Sequence, residues 1–478
     1  MIGGKKIALN TLFLMLSSVV NVAISLFTTA IIARNIGPEL YGRYTFGLTF
    51  ILMFSILANF GLESLFIRET ARDRSNLRII NEIFHLKIVL AVFTIVSIVV
   101  SAHILNYPFA TIQVLYILCA GLFFQILSES LLSVYRSIEK MHVTALFSIL
   151  FRVVSAVIIV VAVYSGIGFF GIVSAYSVGN AIVFGASFAL VHWQFRPLHL
   201  RSNMSAWAAL IKQGIPFYLS ALLTMFYTRI NIIILSKLVS ERDIGYYMAA
   251  LNLVENLYFI PNAFNTSVFP AFSRLYGSSV EALQKGYARM TKYLIILTAA
   301  VAAGTILVSE QVIILIYGKE FIASVPVLNV LIFLWVFTFF SNTQSSLLFS
   351  IHKERTQVKI MLAATVVNII LNIILIRGYG YIGAAYASVL TEGIVVAMIT
   401  ATLWRLRFQY MPEFYLLRLA FVLIAMVASV KLLLEFNVVA AIAGGAFSYI
   451  GCLFLMRVFD SDDIYYMKSF VRRKTGSE

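Results

Sequence analysis

Apolar residues fill this chain in runs of about twenty, and short polar segments rich in Lys, Arg, Gly and Pro separate the runs. About twenty apolar residues in a helix cross a bilayer core, so each run predicts a membrane-spanning helix. Fourteen runs lie near residues 9–33, 44–62, 84–105, 110–135, 143–164, 168–194, 214–236, 246–270, 292–315, 323–350, 358–376, 381–404, 414–434 and 438–457. The first is too long for a cleaved signal peptide and lacks a small-residue cleavage site. The longest connections, near 68–83, 195–213 and 271–291, leave no room for a soluble domain. The last two are amphipathic, with Trp207, Leu210 and Ile211 beside Lys212, and are expected along the membrane surface.

The polar positions inside the runs repeat. A shift of 203 places Gly42-Arg43-Tyr44 on Gly245-Tyr246-Tyr247 and Asn59 on Asn262. Further on, a shift of 212 places Gly166-Ile167-Gly168 on Gly378-Tyr379-Gly380. Ser17, Asn21, Ser25 and Thr28 form one helical stripe, and Ser220, Thr224, Thr228 and Asn231 stand 203 residues further on. Such a stripe faces protein or water rather than lipid. It either joins helices or lines a cavity. The predicted architecture is an all-α integral membrane protein of about fourteen helices. Two repeated six-helix bundles (1–195 and 196–405) face a central cleft, and 406–478 adds two helices and a basic tail. Repeats of even span number share one orientation, related by an axis along the membrane normal.

Charge then sets the topology. Of the 36 Lys and Arg, 26 fall on the side of the N-terminus, 7 on the other, and Lys87, Arg152 and Arg229 lie within spans. This asymmetry marks the N-terminal side as cytoplasmic, so both ends are expected inside, in the plasma membrane. The net charge of +15 therefore reads as topology rather than nucleic-acid binding. Only 12% of residues are charged and mean hydropathy is +0.93, against about 25% charged in soluble domains. Cys119 and Cys452 both sit in apolar runs, which excludes a disulfide framework and argues against a metal site. No cofactor is expected.

Charged groups at bilayer depth are costly and are candidates for function. Arg152 and Glu392 lie near mid-depth, and Glu255 shares a polar face with Asn252 and Asn256. On an ideal helix Arg229 points roughly 145° from the Ser220–Asn231 stripe. Either Arg229 lines the cavity and the stripe packs, or Arg229 pairs with Glu255. Arg34, beside Gly37-Pro38, either clamps an anion or is an interfacial arginine. Lys87 and Glu129 sit near span ends, where they are expected to snorkel. Pro261 and Pro270 interrupt the eighth span and are candidates for gating, or for a fixed kink.

The segment Ala33-Arg34-Asn35-Ile36-Gly37-Pro38-Glu39-Leu40-Tyr41-Gly42-Arg43-Tyr44, continued by Gly61-Leu62 through Arg68-Glu69, resembles the opening signature of polysaccharide biosynthesis membrane proteins of the O-antigen flippase type. Ile244-Gly245-Tyr246-Tyr247 with Pro261 and Pro270, and Asn372–Arg377 with Gly383-Ala384-Ala385-Tyr386-Ala387, are similar to the second half of that family. The family stands in one superfamily with multidrug/toxin extruders and lipid II flippases. The resemblance implies a flippase, not an enzyme, that moves a polyprenyl-diphosphate-linked oligosaccharide to the outer leaflet. It implies alternating access and drive by an ion gradient (H+ or Na+) or the membrane potential. The expected partners are the lipid-linked saccharide and membrane lipids, with the protein acting as a monomer. The translocation path would include Asn21, Arg34, Arg152, Arg229, Asn231, Glu255, Asn256 and Glu392. Asn231 stands where many members carry Asp, which argues against an acidic ion site there. The alternative is an ion-coupled extruder of organic cations, with Glu255 and Glu392 as its acids.

Overall fold

Glycine conformation explains how the runs become separate crossings. A computed structural model describes residues 2–72, 79–195, 204–408 and 415–459; the basic C-terminal tail lies outside them. The first two runs form one element, α1 (Ile2–Asn59), bent at Gly37, whose φ of 72° and ψ of 176° suit only a residue without a β-carbon. Pro38 then opens the second limb at the first helical position, where its missing N–H costs nothing. The short α2 (Leu62–Arg72) follows, then α3 (Ile79–Ile104), α4 (Phe109–Ser137), α5 (Met141–Tyr164), α6 (Phe169–Phe195) and α7 (Met204–Leu238). Next come α8 (Glu241–Asn256), α9 (Phe259–Ser278), α10 (Val280–Tyr317), a 3-10 turn (Lys319–Ser324), α11 (Val325–Ser350), α12 (Glu354–Arg405), α13 (Tyr415–Leu434) and α14 (Val438–Leu455).

Among the described residues, eleven helices are long and apolar enough to cross a membrane. Two of these hold two crossings each, because Gly37 divides α1 and Gly380 (φ 58°) divides α12. The apolar run at 246–270, which covers most of α8 and α9, is the remaining one. The chain is thus an all-helical, multi-pass membrane protein of fourteen crossings. Many large apolar side chains are exposed, among them Phe27, Phe93, Leu146, Ile374 and Phe447, as lipid-facing surfaces require. The amphipathic stretch at Trp207, Leu210 and Ile211 is no separate surface helix. It forms the first turns of α7, and those residues pack on a core of α2, α3 and α4 side chains.

The repeat is visible in backbone conformation. Gly168 and Gly380, 212 residues apart, both have positive φ. At a shift of 213, Ser137-Ile138-Glu139-Lys140 matches Ser350-Ile351-His352-Lys353. Glu139 (φ 62°) and His352 (φ 59°) end their helices alike. Lys140 N–H donates to Tyr135 O and Glu139 N–H to Arg136 O, while Lys353 N–H donates to Leu348 O and His352 N–H to Phe349 O. Both are left-handed helix caps of the Schellman type.

The chain divides into two units by its contacts. The first holds the chain up to Phe259, with Ile316–Ser324 and Met361–Ser388. In it, α1 packs against α3, α4, α5, α7 and α8. The second holds Ile260–Leu315, Val325–Ile360 and the chain from Val389 onward. There α13 and α14 pack on each other and on α10, and the Tyr449 hydroxyl donates to Ile296 O at 2.6 Å.

Candidate functional site

The first unit encloses a cavity of about 1040 Å3. Both limbs of α1, with α4, α5, α6, α7 and α8, supply its walls. Hydroxyls and amides line much of it: Ser25, Thr28, Thr29, Ser148, Asn180 and Asn252. Tyr44, Phe147, Phe151 and Tyr176 add aromatic faces. Three arginines, Arg136, Arg152 and Arg229, meet two glutamates, Glu129 and Glu255.

The charges differ in how they are compensated. Arg136 pairs with Glu63 of α2 at 2.6 Å and donates to the Glu129 carbonyl at 2.9 Å. Arg229 Nη1 lies 2.8 Å from Glu255 Oε1. Arg152, midway along α5, is exposed to the cavity and makes no ion pair or hydrogen bond among the described residues. Glu129 accepts from Gln125 Nε2 at 2.7 Å but forms no ion pair among the described residues. A charge that enters a low-dielectric bundle without a partner carries a large desolvation cost. Arg152 faces open cavity volume rather than packed protein, so a polar or anionic group could reach it there.

The expected path residues fall in different places. Arg152, Arg229, Glu255 and Asn256 all line the cavity. Asn21 stands beside it, with Nδ2 donating to the Ser148 hydroxyl at 2.8 Å. Asn231 is buried, donating to Tyr247 Oη at 2.8 Å and to Ser388 Oγ at 3.4 Å. Arg34 is away from the cavity, with Nε donating to Ile316 O at 3.2 Å. Glu392 is buried in the second unit, where it accepts from Ser341 Oγ. Pro261 follows a break at Leu257–Tyr258, and α9 runs on through Pro270. The position of Pro261 explains the break: with no N–H it cannot bond the Leu257 carbonyl.

The two readings of Arg229 are not exclusive. It lines the cavity and pairs with Glu255 at once. Thr224 and Thr228 of the polar stripe line the same cavity, while Asn231 packs away from it; the Ser220 side chain is outside the described set. The stripe splits because the cavity wall is wide and Thr228 is the immediate neighbour of Arg229. Lys87 does not snorkel. It is 1% exposed, on a face of α3 that meets side chains of α1, α4 and α7.

At the Gly37 end the cavity stops at a layer of rings. Tyr41 meets Tyr317 and Phe321 edge-on at 5.9 and 5.5 Å, and Tyr246 bridges Phe321 and Tyr381. Asn252 donates to the Tyr41 hydroxyl at 2.8 Å. Beyond the rings, Arg43 of α1 pairs with Glu241 of α8 at 2.6 Å, and Thr111 of α4 donates to the other Glu241 oxygen at 2.5 Å. The opposite end of the second α1 limb closes on α7. There Phe60 stacks on Tyr218 at 4.4 Å, and a β-carbon on Gly61 would lie 2.5 Å from Gly214 O.

A model of the polysaccharide biosynthesis protein family matches residues 7–276, and a MatE model matches residues 216–374. The teichuronic acid biosynthesis protein TuaB of Bacillus subtilis (strain 168) is 28% identical over 131 residues, 27% of this chain and 27% of TuaB. The match thus spans about a quarter of that relative's length. Among solved structures, the lipid II flippase MurJ in an inward closed conformation has a TM-score of 0.75 at 16% identity, over 94% of this chain and 99% of MurJ. An inward-facing multidrug resistance MATE transporter has a TM-score of 0.63 at 17% identity, over 82% of this chain and 98% of that one. A MOP superfamily transporter from Pyrococcus furiosus Vc1, described by the reversed polarity of its binding pocket, has a TM-score of 0.59 at 17% identity, over 84% and 95%. At these identities the likeness is one of fold. The model of the polysaccharide biosynthesis protein family covers more than half of the 478 residues, and this chain belongs to that family.

Proposed function

We propose that this protein is a flippase for a polyprenyl-diphosphate-linked oligosaccharide, moving it from the inner to the outer leaflet by alternating access. The observation that carries this reading is Arg152: an uncompensated guanidinium inside a cavity walled by hydroxyls, amides and aromatic rings. A diphosphate supplies the missing charge, and guanidinium binds phosphate oxygens in forked pairs. Hydroxyls, amides and ring faces suit saccharide, while the apolar lipid tail stays in the bilayer. Arg229 joins Arg152 when the anion displaces Glu255. The bundles at 1–195 and 196–405 act as the moving bodies, the segment 406–478 is accessory, and the break before Pro261, with Pro270 beyond it, is a gating element. Arg34, Asn231 and Glu392 are further residues of the path in this reading.

Both termini lie in the cytoplasm, the protein sits in the plasma membrane as a monomer, and an H+ or Na+ gradient or the membrane potential supplies the drive. The excess of Lys and Arg on the N-terminal side supports this topology. Organic-cation extrusion is the weaker reading, because arginines outnumber glutamates on the cavity wall.

Calorimetry with inorganic pyrophosphate on the full-length protein in lipid nanodiscs tests the reading. Arg152→Gln should weaken binding by about 2 kcal/mol, roughly thirtyfold, for the loss of a charge-assisted contact. Equal pyrophosphate affinity in the wild type and the variant would remove the cationic cavity from the mechanism.

A further inference from the structure

A second, smaller pocket of about 240 Å3 opens off the main cavity, sharing Leu52, Gln125, Glu129 and Met225 with it. Two charged side chains face it, and neither forms an ion pair among the described residues. Lys87 of α3 is 1% exposed and makes no hydrogen bond or ion pair among the described residues. The Glu129 carboxylate holds only Gln125. The Oδ1 atom of Asn59, also on the wall, is buried and accepts no hydrogen bond. Their neighbours leave this inventory unchanged, since Arg136 and Glu63 neutralise each other nearby. The pocket therefore offers one strong donor, two free acceptors and balanced charge, between apolar walls such as Ile56 and Met225.

We propose that this side pocket is a subsite for one uncharged sugar ring of the translocated glycan, held by Lys87, Asn59 and Glu129. The proposal rests on the flippase reading and specifies its substrate. The size is that of a side niche: about 240 Å3, roughly a quarter of the 1040 Å3 main cavity, which suits one ring of a longer glycan held in the larger space. The chemistry fits as well. Ring hydroxyls both donate and accept, so one ring can satisfy the Lys87 ammonium, the Asn59 oxygen and the free Glu129 oxygen together, while its C–H faces meet the apolar walls. A charged sugar gains from one of Lys87 and Glu129 and loses to the other, and it pays desolvation besides. An orphaned buried polar atom is costly, so a ligand that satisfies three groups at once is favoured.

The test uses full-length protein in lipid nanodiscs and three probes: N-acetylglucosamine, glucosamine and glucuronate. Binding is read by saturation-transfer NMR, with pyrophosphate binding measured on the same samples. The wild type is expected to bind N-acetylglucosamine about tenfold more tightly than either charged sugar. Glu129→Gln leaves Lys87 unbalanced and should turn the preference toward glucuronate. Lys87→Met should turn it toward glucosamine, and Lys87→Gln substitutes if that variant does not fold. These opposite turns are not expected of residues that only pack. No sugar binding, a wild-type preference for a charged sugar, or variants that keep the wild-type preference would each overturn the subsite. Sugar binding without pyrophosphate binding would leave the subsite standing and remove the diphosphate reading alone.

Discussion

Gly42 and Gly245, equivalent positions of the two repeats, stand backbone to backbone. A β-carbon on Gly42 would lie 2.7 Å from Gly245 N, and one on Gly245 would lie 3.3 Å from Gly42 N. Each would also overlap a carbonyl at the start of the opposite helix, Glu241 O for Gly42 and Pro38 O for Gly245. Positions 38 and 241 are themselves 203 apart, so the contact has the reciprocity of a two-fold axis. Small residues permit this approach of membrane helices. Gly42→Val should therefore prevent α1 and α8 from closing at the Gly37 end. In a background lacking Cys119 and Cys452, a cysteine introduced as Thr28→Cys should react with an impermeant thiol reagent from that side much faster when Gly42 is replaced than when it is kept. Equal labelling with and without the substitution would show that this contact does not close the cavity.

The ion pair of Arg43 and Glu241 acts at the same closure. Its side chains are 17% and 23% exposed, so solvent screens it only in part. Such a pair contributes about 1 kcal/mol, which is roughly a fivefold bias between open and closed states. Glu241→Gln should raise the labelling rate at Thr28Cys by about that factor. The exchange of Arg43→Glu with Glu241→Arg should restore part of the difference. A swap that labels as fast as the single variant would assign the closure to the aromatic layer and glycine contact alone.

Arg229 and Glu255 hold each other at 2.8 Å while both face the cavity. Any anion bound at Arg229 competes with that carboxylate. Glu255→Gln should therefore tighten pyrophosphate binding by about 1.5 kcal/mol, roughly tenfold, and Arg229→Gln should weaken it. Calorimetry on both variants checks the opposite signs. A loss of affinity in both would instead mark the pair as a structural strut.

The crossings were legible in the sequence because lipid imposes one rule on every exposed helix face. The repeat was legible where backbone geometry restricts the residue, as at Gly42, Gly245, Gly168 and Gly380. Arg152, Arg229 and Glu255 stood out because charge at bilayer depth is rare. Lys87 and Glu129 were hidden for a related reason. Position along a helix gives depth but not what covers it, and α2 is too short and polar to register as a membrane element. The packing of α2 on α4, which brings Glu63 to Arg136, is a tertiary fact. The Schellman caps at Glu139 and His352 had a signal, the shared Ser-Ile-X-Lys, which becomes visible only at a shift of 213.

The bend at Gly37 offers a test of the backbone argument that is independent of transport. Its φ of 72° with ψ of 176° lies in a region essentially reserved for glycine. A β-carbon there would also stand 3.2 Å from the Glu320 carboxylate. Gly37→Ala should cost about 1–3 kcal/mol, the range for enforced backbone strain. Gly304, inside α10 with open space around it, gives the opposite case. Alanine there relieves the helix penalty of glycine and should stabilise by about 0.5–1 kcal/mol. Thermal unfolding of the two variants in detergent should move the midpoint in opposite directions. A Gly37→Ala protein as stable as the wild type would mean that α1 can turn without a left-handed residue.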